Sequence, residues 1–226
     1  MMGSCIVAGG KPDMAAPVGG ILLSSIAEGS IVKLNENGSP VEFYVAKHDY
    51  ESALNGTGRT LMVRKDCYDK RAWDSSEVNN YPSSDIAAWL VGTYKKILDS
   101  DVQIAIGTTS IYYTPGNGNS NVGVMTCPVF LLSLTELGAY YANVNTEGSA
   151  LPIGRTLQGA CLNGTSVTQW TRSPITNSTV RAAIVSSVDM FGHGVVSSDS
   201  VASRPCFTLP STSVFDKNTM LLLGVA

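Results

Sequence analysis

Two stretches decide the fold: VTQWTRSP at residues 167–174 and SRPCFTLP at residues 203–210. Both alternate apolar and polar side chains in the two-residue rhythm of a strand with one buried face. Each also carries an arginine close to a proline, Arg172 and Arg204. A guanidinium in a mostly buried strand needs carboxylate or carbonyl partners for its rigid fork of donors, so the pair reads as two framework pins. Between them, residues 175–203 are mostly Ser, Val, Ala, Gly, Asp and Thr and contain no Lys, Glu, Gln, Trp, Tyr, Leu or Pro. Codons ending in a pyrimidine encode none of Lys, Glu, Gln, Trp and Met, and Met190 alone breaks that pattern here. The run reads as permissive sequence held between fixed ends.

Working outward, residues 31–34 and 40–46 form a hairpin pattern around Asn37-Gly38, the dipeptide that accepts positive φ in a tight turn. Residues 61–63 add a short third strand. Pro82-Ser83-Ser84-Asp85 supplies helix-start chemistry, and Ile86, Trp89, Leu90, Tyr94, Ile97 and Leu98 fall on one helical face as core residues. A weaker helical turn is expected at 101–106. Ser133 and Glu136 match a capping box on a short third helix ended by Gly138. TPGNGNSN at 114–121 reads as a solvent-facing loop; it fails the GxGxxG pattern and no GK[ST] follows. Strands resume at 129–132. Strands at both ends with helices between predict an α+β domain whose N- and C-terminal strands share a sheet. Residues 1–27, rich in Gly, Ala and Pro with one apolar cluster at 21–23, read as an arm or linker before a domain at 28–226.

Composition narrows the function. With 226 residues and 44% hydrophobic content the chain can bury a core, while 15% charged residues leave a surface of Ser, Thr, Asn and Gly. A net charge of -3 and the lack of a basic stripe argue against a nucleic-acid partner. No run reaches membrane-spanning length. MMGSCIVAGGKPDM lacks the features of a secretory signal, which points to another export route, such as assembly into a virion followed by lysis. Five cysteines without CxxC spacing read as small buried thiols rather than metal ligands.

Catalytic motifs are missing: no GxSxG, no HExxH and no EF-hand loop. Only His48 and His193 could serve a triad, and a histidine between two glycines reads better as part of a binding patch than as a general base. Asp66, Asp69 and Asp74 could be recruited by an enzyme, but read more simply as a solvated loop.

WTRSP, the permissive run and SRPCFTLP, preceded by LMVRKDCYDKRAWDSS (residues 61–76) and SSDIAAWLVGTYKKIL (residues 83–98), carry a resemblance. Over roughly residues 28–210 the chain resembles a family of domains from gut bacteria and their phages, itself similar to the C-type-lectin-fold variable proteins of diversity-generating retroelements. The resemblance implies a C-type-lectin-like α+β fold, antiparallel sheets with two or three helices, displaying a hypervariable surface that binds a protein or glycan receptor on a bacterial surface. It implies a virion, extracellular or cell-surface location, no enzymatic activity and no cofactor, with a homo-oligomer as one arrangement. The alternative is a structural tail, baseplate or surface module without a variable face. Calcium lectins of this fold carry a Pro flanked by Glu or Gln and Asn or Asp. Here only Lys11-Pro12-Asp13 comes near, and Trp73-Asp74 lacks the rest, so calcium-dependent sugar binding is disfavoured. Sulfatase-activating enzymes share the fold but need paired cysteines near their C-terminal strands, where Cys206 stands alone.

The ligand-binding set expected on this reading is Ile175, Asn177, Arg181, Ile184, Ser186, Val188, Met190, Phe191 and His193. Alternation places Ile184, Ser186 and Val188 on one side of a strand, and a turn near Asp189 returns Met190, Phe191 and His193 beside them. Exposed Ile, Val, Met and Phe in one patch mark an interface unless they are core.

Overall fold

The computed structural model describes residues 19–225. In chain order the strands are β1 (Gly20–Leu22), β2 (Ile31–Glu36), β3 (Ser39–Lys47), β4 (Arg59–Arg64), β5 (Asp69–Lys70), β6 (Thr109–Tyr113), β7 (Gly123–Cys127) and β8 (Val129–Phe130). They continue with β9 (Cys161–Leu162), β10 (Thr165–Ser166), β11 (Gln169–Pro174), β12 (Arg181–Ser187), β13 (Met190–Val195), β14 (Ala202–Ser203), β15 (Cys206–Pro210), β16 (Val214–Asp216) and β17 (Leu222–Gly224). Two five-stranded sheets carry the molecule, ordered β2-β3-β4-β15-β8 and β13-β12-β11-β14-β5. The N-terminal strand β1 pairs antiparallel with β16 near the C-terminus, Gly20 opposite Asp216 and Leu22 opposite Val214. This is the mixed α+β, C-type-lectin-like arrangement expected from the sequence. Leu23 and Ile26 are buried, and the Leu23 amide donates to the Ser213 carbonyl at 2.8 Å.

The expected elements form for the expected reasons, with three differences. Asn37 and Gly38, φ +49° and +75°, turn the β2–β3 hairpin. The helix over 85–97 is capped by Ser84, whose Oγ accepts from the Ala87 amide at 3.3 Å, and it buries Ile86, Leu90 and Tyr94. Its middle turn, Leu90–Tyr94, is π-helical. The first difference is at Ser133 and Glu136. The capping box exists, with the Ser133 amide on Glu136 Oε2 at 2.8 Å and the Glu136 amide on Ser133 Oγ at 3.0 Å. It closes one turn rather than a helix, because Gly138 (φ +68°) reverses the chain at once.

The second difference concerns the two deciding stretches. Each reads as a half-buried strand, yet every residue of β11 is buried, as are residues 206–209 of β15. The reason is position: β11 lies between β12 and β14 and is covered by the Ser133 turn, where the Leu134 amide donates to Ser173 Oγ at 3.0 Å. The third is the loop at 114–121, whose residues 117–121 face solvent as expected while its base is anchored. Gly116 approaches Asn79 so closely that a Cβ would lie 1.9 Å from its carbonyl oxygen, and the Asn117 amide donates to Asn79 Oδ1 at 2.7 Å.

Both arginines are pins. Arg172 is fully buried and forms a fork with Glu136, 2.7 and 2.9 Å, while donating to the carbonyls of Tyr112 and Leu131 at 2.9 Å each. Tyr50 adds its hydroxyl to the same carboxylate at 2.5 Å, so the buried charge pair is well supplied with hydrogen bonds. Arg204 lies where the chain passes from β14 in one sheet to β15 in the other. It donates to the carbonyls of Arg64 and Leu157, at 2.7 Å each, and to Gly159 and Lys65. Its partners belong to both sheets' neighbourhoods, so it ties them at the crossing.

Candidate ligand-binding site

The permissive run divides into fixed and free positions. Ala182, Ala183, Val185, Val196 and Val201 are buried and join the core, and Ile175 is 4% exposed. Gly194 is fixed too, since a Cβ there would meet the Trp170 ring at 2.8 Å. What remains outward is the loop at 176–180, Arg181, one face of the β12–β13 hairpin and its tip, and the segment 197–200 after it.

Asn79 shapes the loop. Its side-chain amide donates to the carbonyls of Ser178 (2.9 Å), Arg181 (2.8 Å) and Ile175 (3.2 Å), and its backbone amide to Thr179 at 2.8 Å. On the other side, the Thr176 amide and hydroxyl both donate to the Asn143 carbonyl, at 2.8 and 3.0 Å. Between these two anchors lies a depression of about 400 Å³. Ile175 belongs to its lining, with Tyr141, Ala142 and Asn143 on one wall and Asn177, Ser178 and Val180 on another; Arg181 and His193 complete it from the hairpin.

Arg181 and His193 reach each other by register. Ala183 lies opposite His193, so Arg181, two residues earlier on the same face, sits diagonal to it. Arg181 Nη1 donates to His193 Nε2 at 2.7 Å, and His193 Nδ1 is 3.0 Å from the Tyr141 hydroxyl. A guanidinium only donates, so Nε2 must hold the lone pair; the ring is therefore neutral with its proton on Nδ1, which donates to Tyr141. Among the described residues no carboxylate lines the depression.

Of the nine residues expected from the sequence, the structure gathers four here: Ile175, Asn177, Arg181 and His193. Ile184 and Ser186 point to the opposite face of the sheet. Ile184 is paired with Gly192 and Trp170, and Ser186 Oγ accepts from the Thr168 hydroxyl at 3.3 Å. Val188 and Met190, 43% and 62% exposed, stand at the hairpin tip, where Arg155 pairs with Asp189 at 2.5 Å. Phe191 lies opposite Val185 and packs partly buried against the core. The expected single patch is thus split, because residues directly opposite in a hairpin share a face and Ile184 alternates away from His193. Tyr141 and Asn143 were missed. Their segment shows no periodicity after Gly138; the only signal was a Tyr-Tyr pair followed by two asparagines in Tyr140-Tyr-Ala-Asn-Val-Asn145.

Other candidate groups have partners within the fold. His48 bridges the Thr60 hydroxyl and the Ile26 carbonyl, 2.9 Å each. Asp69 pairs with Arg71, and buried Asp74 accepts from the Val78 amide at 3.2 Å. Burial pushes the thiols of Cys67 and Cys127 up to about 11 and about 12, and that of Cys206 well above its usual value. Such thiols are poor nucleophiles. Cys5 and Lys11-Pro12-Asp13 lie outside the described residues. Among the described residues no three His, Cys, Asp or Glu converge as a metal site, and no helix is long and apolar enough to cross a membrane.

No curated protein and no solved structure matches the chain. A family model does, the one described as Domain of unknown function (DUF6273), over residues 57–211. That span runs from the start of β4 to the end of β15 and contains Asn79, Tyr141, Arg172, Arg204 and the whole permissive run. The chain belongs to the DUF6273 family.

Proposed function

We propose that the protein is a receptor- or ligand-binding module without catalytic activity, presenting a changeable surface on its C-type-lectin-like scaffold at a phage tail or a cell surface. Its partner on this reading is a protein or glycan on a bacterial surface. The observation that carries the reading is the division within residues 175–203. Buried positions keep the hairpin in place, while Asn177, Arg181 and His193 meet around one depression whose far wall, Tyr141 to Asn143, comes from outside the run. Side chains at such positions can be exchanged without disturbing the core, which is what a specificity surface needs. Among the described residues the ring nitrogens of both histidines meet only neutral or cationic groups, which supports binding over general-base chemistry.

The test is a transplant. Residues 175–203 of this chain are moved into another DUF6273 scaffold, and binding to panels of bacterial cells and glycans is compared for donor, recipient and chimera. Specificity that travels with the segment supports the reading; a chimera that keeps the recipient's partners rejects it. Diversification has its own check, a near-copy of the segment beside a reverse-transcriptase gene in the source genome.

A further inference from the structure

The chain has seven arginines. Six are engaged by carboxylates or backbone carbonyls: Arg64 with Glu36, Arg71 with Asp69, Arg155 with Asp189, Arg172 with Glu136, and Arg59 and Arg204 with carbonyls. Arg181 differs. Among the described residues its guanidinium has one partner, the imidazole Nε2 of His193, and that contact occupies a single N–H of its five. It is exposed at the rim of the depression, in a chain of net charge -3 whose acidic residues leave this site empty of carboxylates. A cation with an open donor fork, held in place by a neighbour that takes no charge from it, fits a planar anion.

The rest of the lining says what carries that anion. Asn143, Asn177, Ser178 and Tyr141 offer amide and hydroxyl groups, the complement of a hydroxyl-rich ligand. Beyond Tyr141 lies a second depression of about 310 Å³, lined also by Thr135, Asn145 and Tyr140. Tyr140 is 83% exposed, an aromatic face open to a flat apolar surface such as one side of a sugar ring. Both depressions count Tyr141 among their lining residues.

We propose that this surface binds an acidic sugar: its carboxylate on Arg181, its hydroxyls on Asn143, Asn177 and Ser178, and the adjoining sugar unit against Tyr140. The proposal rests on the ligand-binding reading and names its ligand class. It is tested by calorimetric titration of the full chain with disaccharides containing glucuronic or neuraminic acid, with their neutral methyl esters, with inorganic phosphate, and with a peptide bearing a free C-terminal carboxylate. The acidic disaccharides bind, and their esters bind at least about ten-fold more weakly, the scale of a charge-assisted hydrogen-bonded contact. Arg181→Gln removes that difference between acid and ester, Arg181→Lys restores part of it, and Tyr140→Ala weakens both forms alike. Equal binding of acid and ester, preference for phosphate or for the peptide, or no binding of any acidic sugar overturns the proposal. In each of those cases the transplant remains free to succeed, so the ligand class fails without the binding reading; only the transplant's failure removes both.

Discussion

Arg181 Nη1 donates to His193 Nε2 across 2.7 Å, from the first residue of β12 to the fourth of β13. The contact aims the imidazole at Tyr141, so both strands of one hairpin meet a segment about fifty residues away in sequence at one rim. The hairpin that carries it is in turn fixed from below, and the expected outcomes that follow probe that fixing.

Arg172 is the first point. Removing the guanidinium strands Glu136 with no opposite charge in a fully buried position. Arg172→Met is expected to cost about 3 to 5 kcal/mol in urea unfolding. The double variant Arg172→Met, Glu136→Gln should recover part of the loss, because Glu136 is no longer a charge without its cation, while buried Glu147 keeps its hydrogen bonds from the Ser173 hydroxyl and the Thr114 amide. A near-neutral single variant would remove the framework role.

Within the permissive run, two glycines separate a fixed position from a free one. A Cβ at Gly194 would press on Trp170 at 2.8 Å, whereas one at Gly192 would find its nearest neighbour, Ile184, at 3.9 Å. Gly194→Ala is expected to lose about 1 to 3 kcal/mol and Gly192→Ala close to none, read as melting temperatures of the two variants. Equal effects would show that the ring of Trp170 does not set the hairpin.

Asn79 should control the shape of the site at a distance. Asn79→Ala removes the side-chain donor to the carbonyls of Ser178 and Arg181, of which the Arg181 carbonyl keeps the Ile175 amide at 2.9 Å. The expected loss is about 2 to 3 kcal/mol, with faster amide hydrogen exchange at residues 175–181 than in the parent. Unchanged exchange there would show that the loop holds its own conformation.

Alkaline pH gives a further check. Burial raises the folded-state pKa of Cys67 to about 11 and of Cys127 to about 12, and raises those of Tyr50, Tyr81 and Tyr94 well above the usual phenol value. The folded chain therefore holds these protons after the unfolded chain has released them. Their contribution is fully present below the ordinary thiol value of 9.0 and is lost as pH rises through the folded values. Unfolding midpoints should be flat up to that point and fall steadily above it. Cys67→Ala should make the fall shallower by about 2 to 3 kcal/mol near pH 11. A midpoint independent of pH across that range would contradict the burial of these groups.

The fold was largely legible because its signals are local. Asn37-Gly38 requires its turn, Ser84 caps its helix, and the arginines near Pro174 and Pro205 needed buried partners. The identity of those partners was not legible: Glu136 meets Arg172 only through a turn and a sheet register, and nothing in the spacing of the two residues encodes either. The site was half legible. Composition marked residues 175–203, but alternation could not tell which face of the hairpin is open, because Trp170 covers Gly194 and Ile184 on one side while Tyr141 leaves room on the other. Tyr141 itself gave no periodic signal.

The most direct measurement compares two sets of variants for binding to the target that the transplant identifies. Asn177→Ala, Arg181→Ala and His193→Ala alter the depression; Val188→Ser and Met190→Ser alter the exposed hairpin tip. If recognition is centred on the depression, at least two of the first set lower affinity by about ten-fold or more and neither of the second changes it by more than about two-fold, with all five melting near the parent. Loss of affinity confined to Val188→Ser and Met190→Ser, with the depression variants binding as the parent does, would contradict the placement of the binding surface between Tyr141, Arg181 and His193.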